Sequence, residues 1–226
     1  MIKRIICLAN SRKLGDRCVA GRELLEGGRV GPWIRPISAR PDEAISLSEM
    51  RYRNGDDPRL LDTIDIPLLG SRSKPNQPEN WLIDAGYYWQ KVGECRYANL
   101  HLLADAPGDL WVNGRNTSHN LNDYVLEEEA GTLGSSLKLI AADDLRLSVF
   151  TTGVGFENPK RRVQAIFSFN GKNYRLWATD SVIEDTYRPR EDGTYNVGSC
   201  YLTISLAEPF RGCCYKVVAG VIVGAR

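Results

Sequence analysis

One order of strand-like and helix-like stretches occurs twice along this chain, and no other property of the sequence limits its fold as tightly. In the C-terminal third, Leu137 to Thr152 reads as one long bent strand, breaking near Asp143-Asp144 if at all. Val163 to Phe169 and Tyr174 to Ala178 then flank Asn170-Gly171. Asn-Gly between two apolar alternating runs signals a two-residue hairpin, because both residues accept positive φ. Asp180 can accept N–H groups from the first turn of a short helix over Ser181 to Tyr187, and Tyr201 to Leu206 and Tyr215 to Val223 add two strands. The N-terminal part runs likewise: Ile2 to Leu8, Asp16 to Gly21 and Gly31 to Ile37 read as strands, with Gly15 and Gly27-Gly28 as punctuation. Pro41 to Tyr52 has helical spacing behind Asp42, and Leu60 to Leu69 and Trp81 to Val92 complete the set.

Three strands, a helix and two strands is the plan of the OB-fold, a small Greek-key barrel whose exposed face binds oligonucleotides or oligosaccharides. The expected fold is therefore mainly β, with two tandem OB-like five-stranded barrels, each with a short helix after its third strand. The barrels are expected over residues 1–93 and 135–226, and 226 residues suffice for both. The intervening residues 94–134 are expected to form a partly helical or irregular connector. Leu100, Leu102, Leu103, Leu110, Trp111 and Val112 make it apolar enough to pack on the barrels.

Charge and cysteine usage narrow the function classes. With 29 basic and 28 acidic residues the net charge is +1, so the chain is no polycationic coat protein. Residues 1–40 nevertheless hold nine basic groups against three acids, and residues 94–134 hold two against seven. The cysteines at 7, 18, 95, 200, 213 and 214 form no C-x-x-C pair, and only His101 and His119 could join them, so no metal or cofactor is expected. Apolar runs such as Val217 to Val223 are too short to cross a bilayer, and no leader-like segment opens the chain. A reduced, cytoplasmic setting away from membranes is the expectation.

The runs Cys18-Val19-Ala20-Gly21, Trp33-Ile34-Arg35-Pro36, Gln77-Pro78-Glu79-Asn80, Thr179-Asp180, Ser205 to Phe210 and Tyr215 to Ala219 resemble those of bacterial dual OB domain-containing proteins. The resemblance spans nearly the whole chain. It implies two OB modules in a cytoplasmic prokaryotic protein, and it implies no established catalytic activity.

An OB barrel holds single strands with a positive groove along the phosphates and aromatic faces under the bases. In the first module, Asn10, Arg12, Lys13 and Arg17 are candidate ligand-binding residues, and Trp33 with Arg35 lies on one strand face. An open face would let Trp33 stack a base and Arg35 pair a phosphate; a closed one would make Trp33 core. Gln77 and Asn80 can read a base edge or brace a turn marked by Pro75 and Pro78. In the second module, Lys160-Arg161-Arg162 is either a binding cluster or a solvated turn. Trp177 shares a strand face with Arg175, while Phe167 and Phe169 alternate on the strand before, so one aromatic face is core and the other a candidate platform. The polar stretch Asn113 to Asn122 is a ligand loop or a surface crossing.

These features favour a non-enzymatic protein that binds single-stranded DNA, RNA or a nucleotide-like ligand through its barrel faces, as a component of a larger bacterial system. The alternative is a scaffold module that docks a partner enzyme. A nucleotide-processing enzyme would need Cys7 or Cys18 beside His101 or His119, or Glu79 paired with Asp180. No G-x-x-x-x-G-K-[ST] or G-x-G-x-x-G loop occurs, and Gly153-Val154-Gly155 is too short to serve as one.

Overall fold

The computed structural model describes residues 1–153 and 159–224; Val154 and Gly155 of the short glycine loop lie outside them. The first barrel is built from β1 (Ile2–Lys13), β2 (Asp16–Leu24), β3 (Val30–Ile37), β4 (Asp62–Ser71) and β5 (Asn80–Ile83), with α1 (Leu47–Met50) between β3 and β4. β1 pairs with β2 and β4, β2 with β3, and β4 with β5, all antiparallel, and parallel pairing of β3 with β5 closes the barrel. A further strand, β6 (Gln90–Glu94), pairs with β4. The connector contributes a 3-10 turn at Tyr97–Leu102, β7 (Tyr124–Leu126) and α2 (Glu127–Ala130).

The second barrel repeats the closure with β8 (Leu137–Thr152), β9 (Lys160–Phe169), β10 (Lys172–Ala178), β11 (Gly193–Leu206) and β12 (Cys213–Val223), and with α3 (Ser181–Tyr187) after its third strand. The parallel pairing of β10 with β12 corresponds to that of β3 with β5. Asn170 and Gly171 both have positive φ, 48° and 74°, as the primed hairpin turn requires. Asp180 caps α3, accepting the N–H groups of Val182 and Ile183 at 2.9 Å.

Several local expectations are corrected. The helix expected over Pro41 to Tyr52 is a single turn capped by Ser46 in a capping box with Glu49. Asp42 instead accepts the N–H of Ala44, and Ile45 is extended because its backbone pairs with Arg17 in both directions. The stretch Trp81 to Val92 is two strands, β5 and β6, parted by a turn in which Asp84 accepts the N–H of Gly86. β11 begins at Gly193, well before Tyr201, and accommodates irregularities around Gly198.

The uninterrupted apolar run Ile5 to Ala9 has a packing explanation. Alternation sends Ile5 and Cys7 into the first barrel and Ile6 and Leu8 toward the second, and the register shift between Cys7 and Ala9 brings Ala9 to that same side with Ala20 and Trp33. Opposite them stand Leu137, Leu139, Ala219 and Ile222, with Leu100 and Leu103 of the connector alongside. The β1 strand is thus buried on both faces. Where β12 crosses it, a Cβ on Gly220 would lie 2.2 Å from the Leu8 carbonyl oxygen, so only glycine allows the approach. Thr203 Oγ1 donates to that same carbonyl at 2.6 Å.

Lys216 fastens the connector to the second barrel. It is 1% exposed, and its Nζ donates to Val112 O at 2.6 Å and to Asn113 Oδ1 at 3.1 Å. Burial disfavours its charge and brings its pKa from 10.5 to about 8. Between those values the unfolded chain binds more protons than the folded one, so stability from this group is present above 10.5 and lost as pH falls through 8. Denaturant unfolding of wild type and Lys216→Met at about pH 7 and about pH 10 should show the wild type gaining on the variant at the higher pH. An unchanged difference would contradict this account of Lys216.

Candidate nucleic-acid interface

The expected site residues fall into separate places, and one is a continuous strand face. Across the second barrel, Phe150 stands opposite Arg162, Gln164 opposite Trp177, and Ile166 between Arg146 and Arg175. Since side chains two apart share a face, Arg146 and Phe150 of β8, Lys160 and Arg162 of β9, and Arg175 and Trp177 of β10 all point outward on one side. The inward positions are filled by Leu147, Val163, Phe167, Tyr174 and Leu176. The candidate platform is therefore the Trp177 face, whereas Phe167 belongs to the core and stacks on Tyr174 at 5.3 Å.

The geometry of this face is aromatic in the middle and basic around it. The Trp177 ring lies 5.9 Å from Phe150 and 6.1 Å from His119, and the Arg162 guanidinium lies 5.5 Å from it. Arg146, Lys160 and Arg175 are exposed and make no ion pair among the described residues. Asp144 on this face is occupied by the N–H and hydroxyl of Ser168, and Glu184 of α3 interacts electrostatically with Arg162. His119 arrives from the connector: Leu121 and Arg175 exchange backbone hydrogen bonds, and Gln164 donates to His119 O and Asn120 Oδ1. The Asn113 to Asn122 stretch thus crosses the surface and also supplies one ring of the cluster.

Arg161 does not belong to it. It points to the other side of β9, where its guanidinium bonds Arg188 O, Arg190 O, Thr151 and Asp192, clamping the residues that follow α3. Its donors are spent on the fold.

The residues expected on the first barrel are differently placed. Trp33 is 5% exposed, with Asp105 accepting its indole N–H at 3.2 Å and Arg22 over its ring. The face that would have let it stack a base is closed by the second barrel. Arg35 is 2% exposed and crosses the interface to Ser136 and Ser205. Arg35, Arg12, Lys13 and Gln77 line an inter-barrel cleft, with Asn80 behind, its side-chain amide donating to Gln77. Asn10, which donates to Pro58 O, and Arg17 line a second hollow beside Asp180 and the start of α3.

The thiols and imidazoles of the enzyme reading lie apart. Cys7 is fully buried, which pushes its pKa up, while His101 bonds Ala98 O on the connector's 3-10 turn. Burial likewise raises Cys200 to about 12 and Cys214 to about 11. Glu79 is held by Ser136 and faces Arg35 at 3.5 Å, whereas Asp180 is occupied by α3 and the N–H of Val221.

The sequence pattern that defines the dual OB-containing domain matches residues 3–221. The chain belongs to the dual OB-containing domain family. Searches of curated proteins and of solved structures found no match. In this dual OB-containing chain the two strand faces that OB-folds use for oligonucleotides have unlike fates. On the first barrel the β2–β3 face is covered by its neighbour, and on the second the β9–β10 face is basic and crossed only in part by the connector, which buries Gln164. No helix of the described residues is long and apolar enough to cross a membrane.

Arg146, Phe150, His119 and Arg175 were not among the expected site residues, although alternation puts Arg175 on the Trp177 strand face. The strict alternation Leu145-Arg146-Leu147-Ser148-Val149-Phe150 holds the signal for the first two. His119 is brought in by the connector from outside the barrel, and the sequence marks only the polar stretch Asn113 to Asn122 that contains it.

Proposed function

We propose that the chain binds single-stranded nucleic acid across the outer face of β8, β9 and β10, without catalysing a reaction. The carrying observation is the Trp177, Phe150 and His119 ring cluster bordered by Arg146, Lys160, Arg162 and Arg175. Aromatic faces accept any base, and cations along the strands neutralise phosphates, so the arrangement suits a strand of unspecified sequence. With one barrel face open, a footprint of about 4–16 nucleotides is expected. This reading makes the chain a component of a larger bacterial, cytoplasmic system, in keeping with its free cysteines and the family resemblance. Photo-crosslinking to oligothymidylate or oligouridylate followed by peptide mapping should give adducts within 146–150 and 160–177. Adducts confined to the first barrel would contradict it.

A second reading, docking of a protein partner, is favoured by a different observation. Ile2, Tyr87 and Tyr88 are exposed around a hollow of about 610 Å³ on the first barrel, beside β6 with its exposed Val92. Among the described residues β6 pairs only with β4 and leaves an edge free. Nuclease-resistant co-purification of one defined protein, lost on Tyr87→Ser with Tyr88→Ser, would support this reading.

A further inference from the structure

Between the Leu14–Gly15 turn of the first barrel and the residues following β11 in the second lies a cleft of about 370 Å³. Sites for small ligands concentrate where domains meet, and this volume lies within their usual range of about 300–1,000 Å³. Arg35 lines it, with Nη2 taken by Ser136 and Ser205 and facing Glu79 at 3.5 Å, while Nε and Nη1 are buried without a hydrogen-bond partner. A buried guanidinium with unmatched N–H groups is costly, and a ligand oxygen that meets them recovers that cost.

The remaining lining is equally specific. Ile37, Leu206 and Val217 make an apolar wall, and Phe210, 60% exposed, stands with them. Gln77 spends one N–H on Leu206 O at 3.3 Å and its carbonyl on Asn80, leaving a second amide hydrogen. Lys13 brings a positive charge to the cleft and pairs with Glu208, which also lines it, whereas the Arg12 guanidinium reaches away to Glu184 and Asp185 of α3. Leu14, at the rim, is held at φ 51° with 82% of its surface exposed, a conformation and an exposure that a leucine disfavours.

We propose that this cleft binds one nucleotide, its phosphate near Lys13 and Arg35, its base between Phe210 and the Ile37–Val217 wall, and a base edge on the Gln77 amide. A free mononucleotide and the 5′-terminal nucleotide of a strand share this chemistry. Because residues of both barrels line the cleft, the ligand binds the folded chain alone and stabilises it. The inference is independent of the strand face on β8, β9 and β10.

The test is thermal denaturation and calorimetric titration of the full chain with 5′-AMP, with a 5′-phosphorylated short oligothymidylate and with its 5′-hydroxyl counterpart. A raised melting temperature with 5′-AMP identifies the free nucleotide as the ligand; a rise only with the phosphorylated oligonucleotide identifies the strand end. In either case Phe210→Ala should weaken binding about fivefold or more, the loss of one stack, and Lys13→Glu should weaken it too. Both side chains lie outside the cores, so the test does not disturb the buried Arg35. No shift with 5′-AMP or the phosphorylated strand, or a shift that survives both substitutions, overturns the proposal. Failure of the strand face and failure of the cleft are separable, because Trp177→Ala tests the former and Phe210→Ala the latter.

Discussion

Valine at position 220 is expected to separate the two barrels. A Cβ there would meet the Leu8 carbonyl oxygen at 2.2 Å, and that oxygen belongs to backbone that cannot rotate away. β12 must then lift from β1, which breaks the Thr203 to Leu8 hydrogen bond and loosens Ala219 and Ile222 from Ile6 and Leu8. Overpacking of this kind typically costs about 1–3 kcal/mol, and the loss of a buried hydrogen bond adds to it, so about 3 kcal/mol or more is expected. For a chain of this size that lowers the melting temperature by roughly 6–12 °C. Gly70→Ala is the matching control, since a Cβ there meets nothing within 4 Å and its φ is ordinary. A Gly220→Val protein that melts with the wild type would show that the barrels do not meet at this crossing.

The second large effect is expected on strand binding. Trp177→Ala removes the ring that joins Phe150, His119 and Arg162, and a lost base stack costs about 1–3 kcal/mol, roughly five- to 150-fold in affinity. Arg175→Ala and Lys160→Ala should weaken binding evenly across sequences, each lowering the salt slope by about 1 or slightly less. Arg161→Ala should behave otherwise. Its guanidinium holds Arg188 O, Arg190 O and Asp192, so its removal should lower stability and leave the salt slope unchanged. Titrations of the four proteins with one labelled oligonucleotide, with their urea midpoints, separate the two classes. An Arg161 variant that loses salt dependence while Arg175 and Lys160 variants keep it would invert the assignment of strand faces.

The legible parts of the fold were those written in local chemistry. Asn170-Gly171 announces its hairpin, Asp180 its helix, and alternation in β9 and β10 separates Phe167 from Trp177. The order of elements then suffices for two OB barrels, because few closures connect three strands, a helix and two strands. What stayed hidden depends on contacts between distant parts of the chain. The run Ile5 to Ala9 is apolar enough for two buried faces, but nothing local says that the second face meets Ala219 and Ile222. That contact moved Trp33 and Arg35 from an open surface into an interface. Ile45 left a helical pattern for the same kind of reason, because pairing with Arg17 outweighs weak propensity in a short segment. Arg161 and Arg162 are adjacent and chemically alike, and only the phase of β9, set by the core, places one in a clamp and the other over Trp177.

The most direct test of the central claim is fluorescence anisotropy of the full chain with labelled single-stranded DNA and RNA at several salt concentrations. Four cations on one strand face, at about 0.7 per phosphate contact, predict that the logarithm of affinity falls with the logarithm of salt with a slope near −3. Binding with that dependence would establish the basic, aromatic face of β8, β9 and β10 as a nucleic-acid interface. Absent binding at low salt, or binding indifferent to salt, would contradict it and direct attention to a protein partner at Tyr87, Tyr88 and β6.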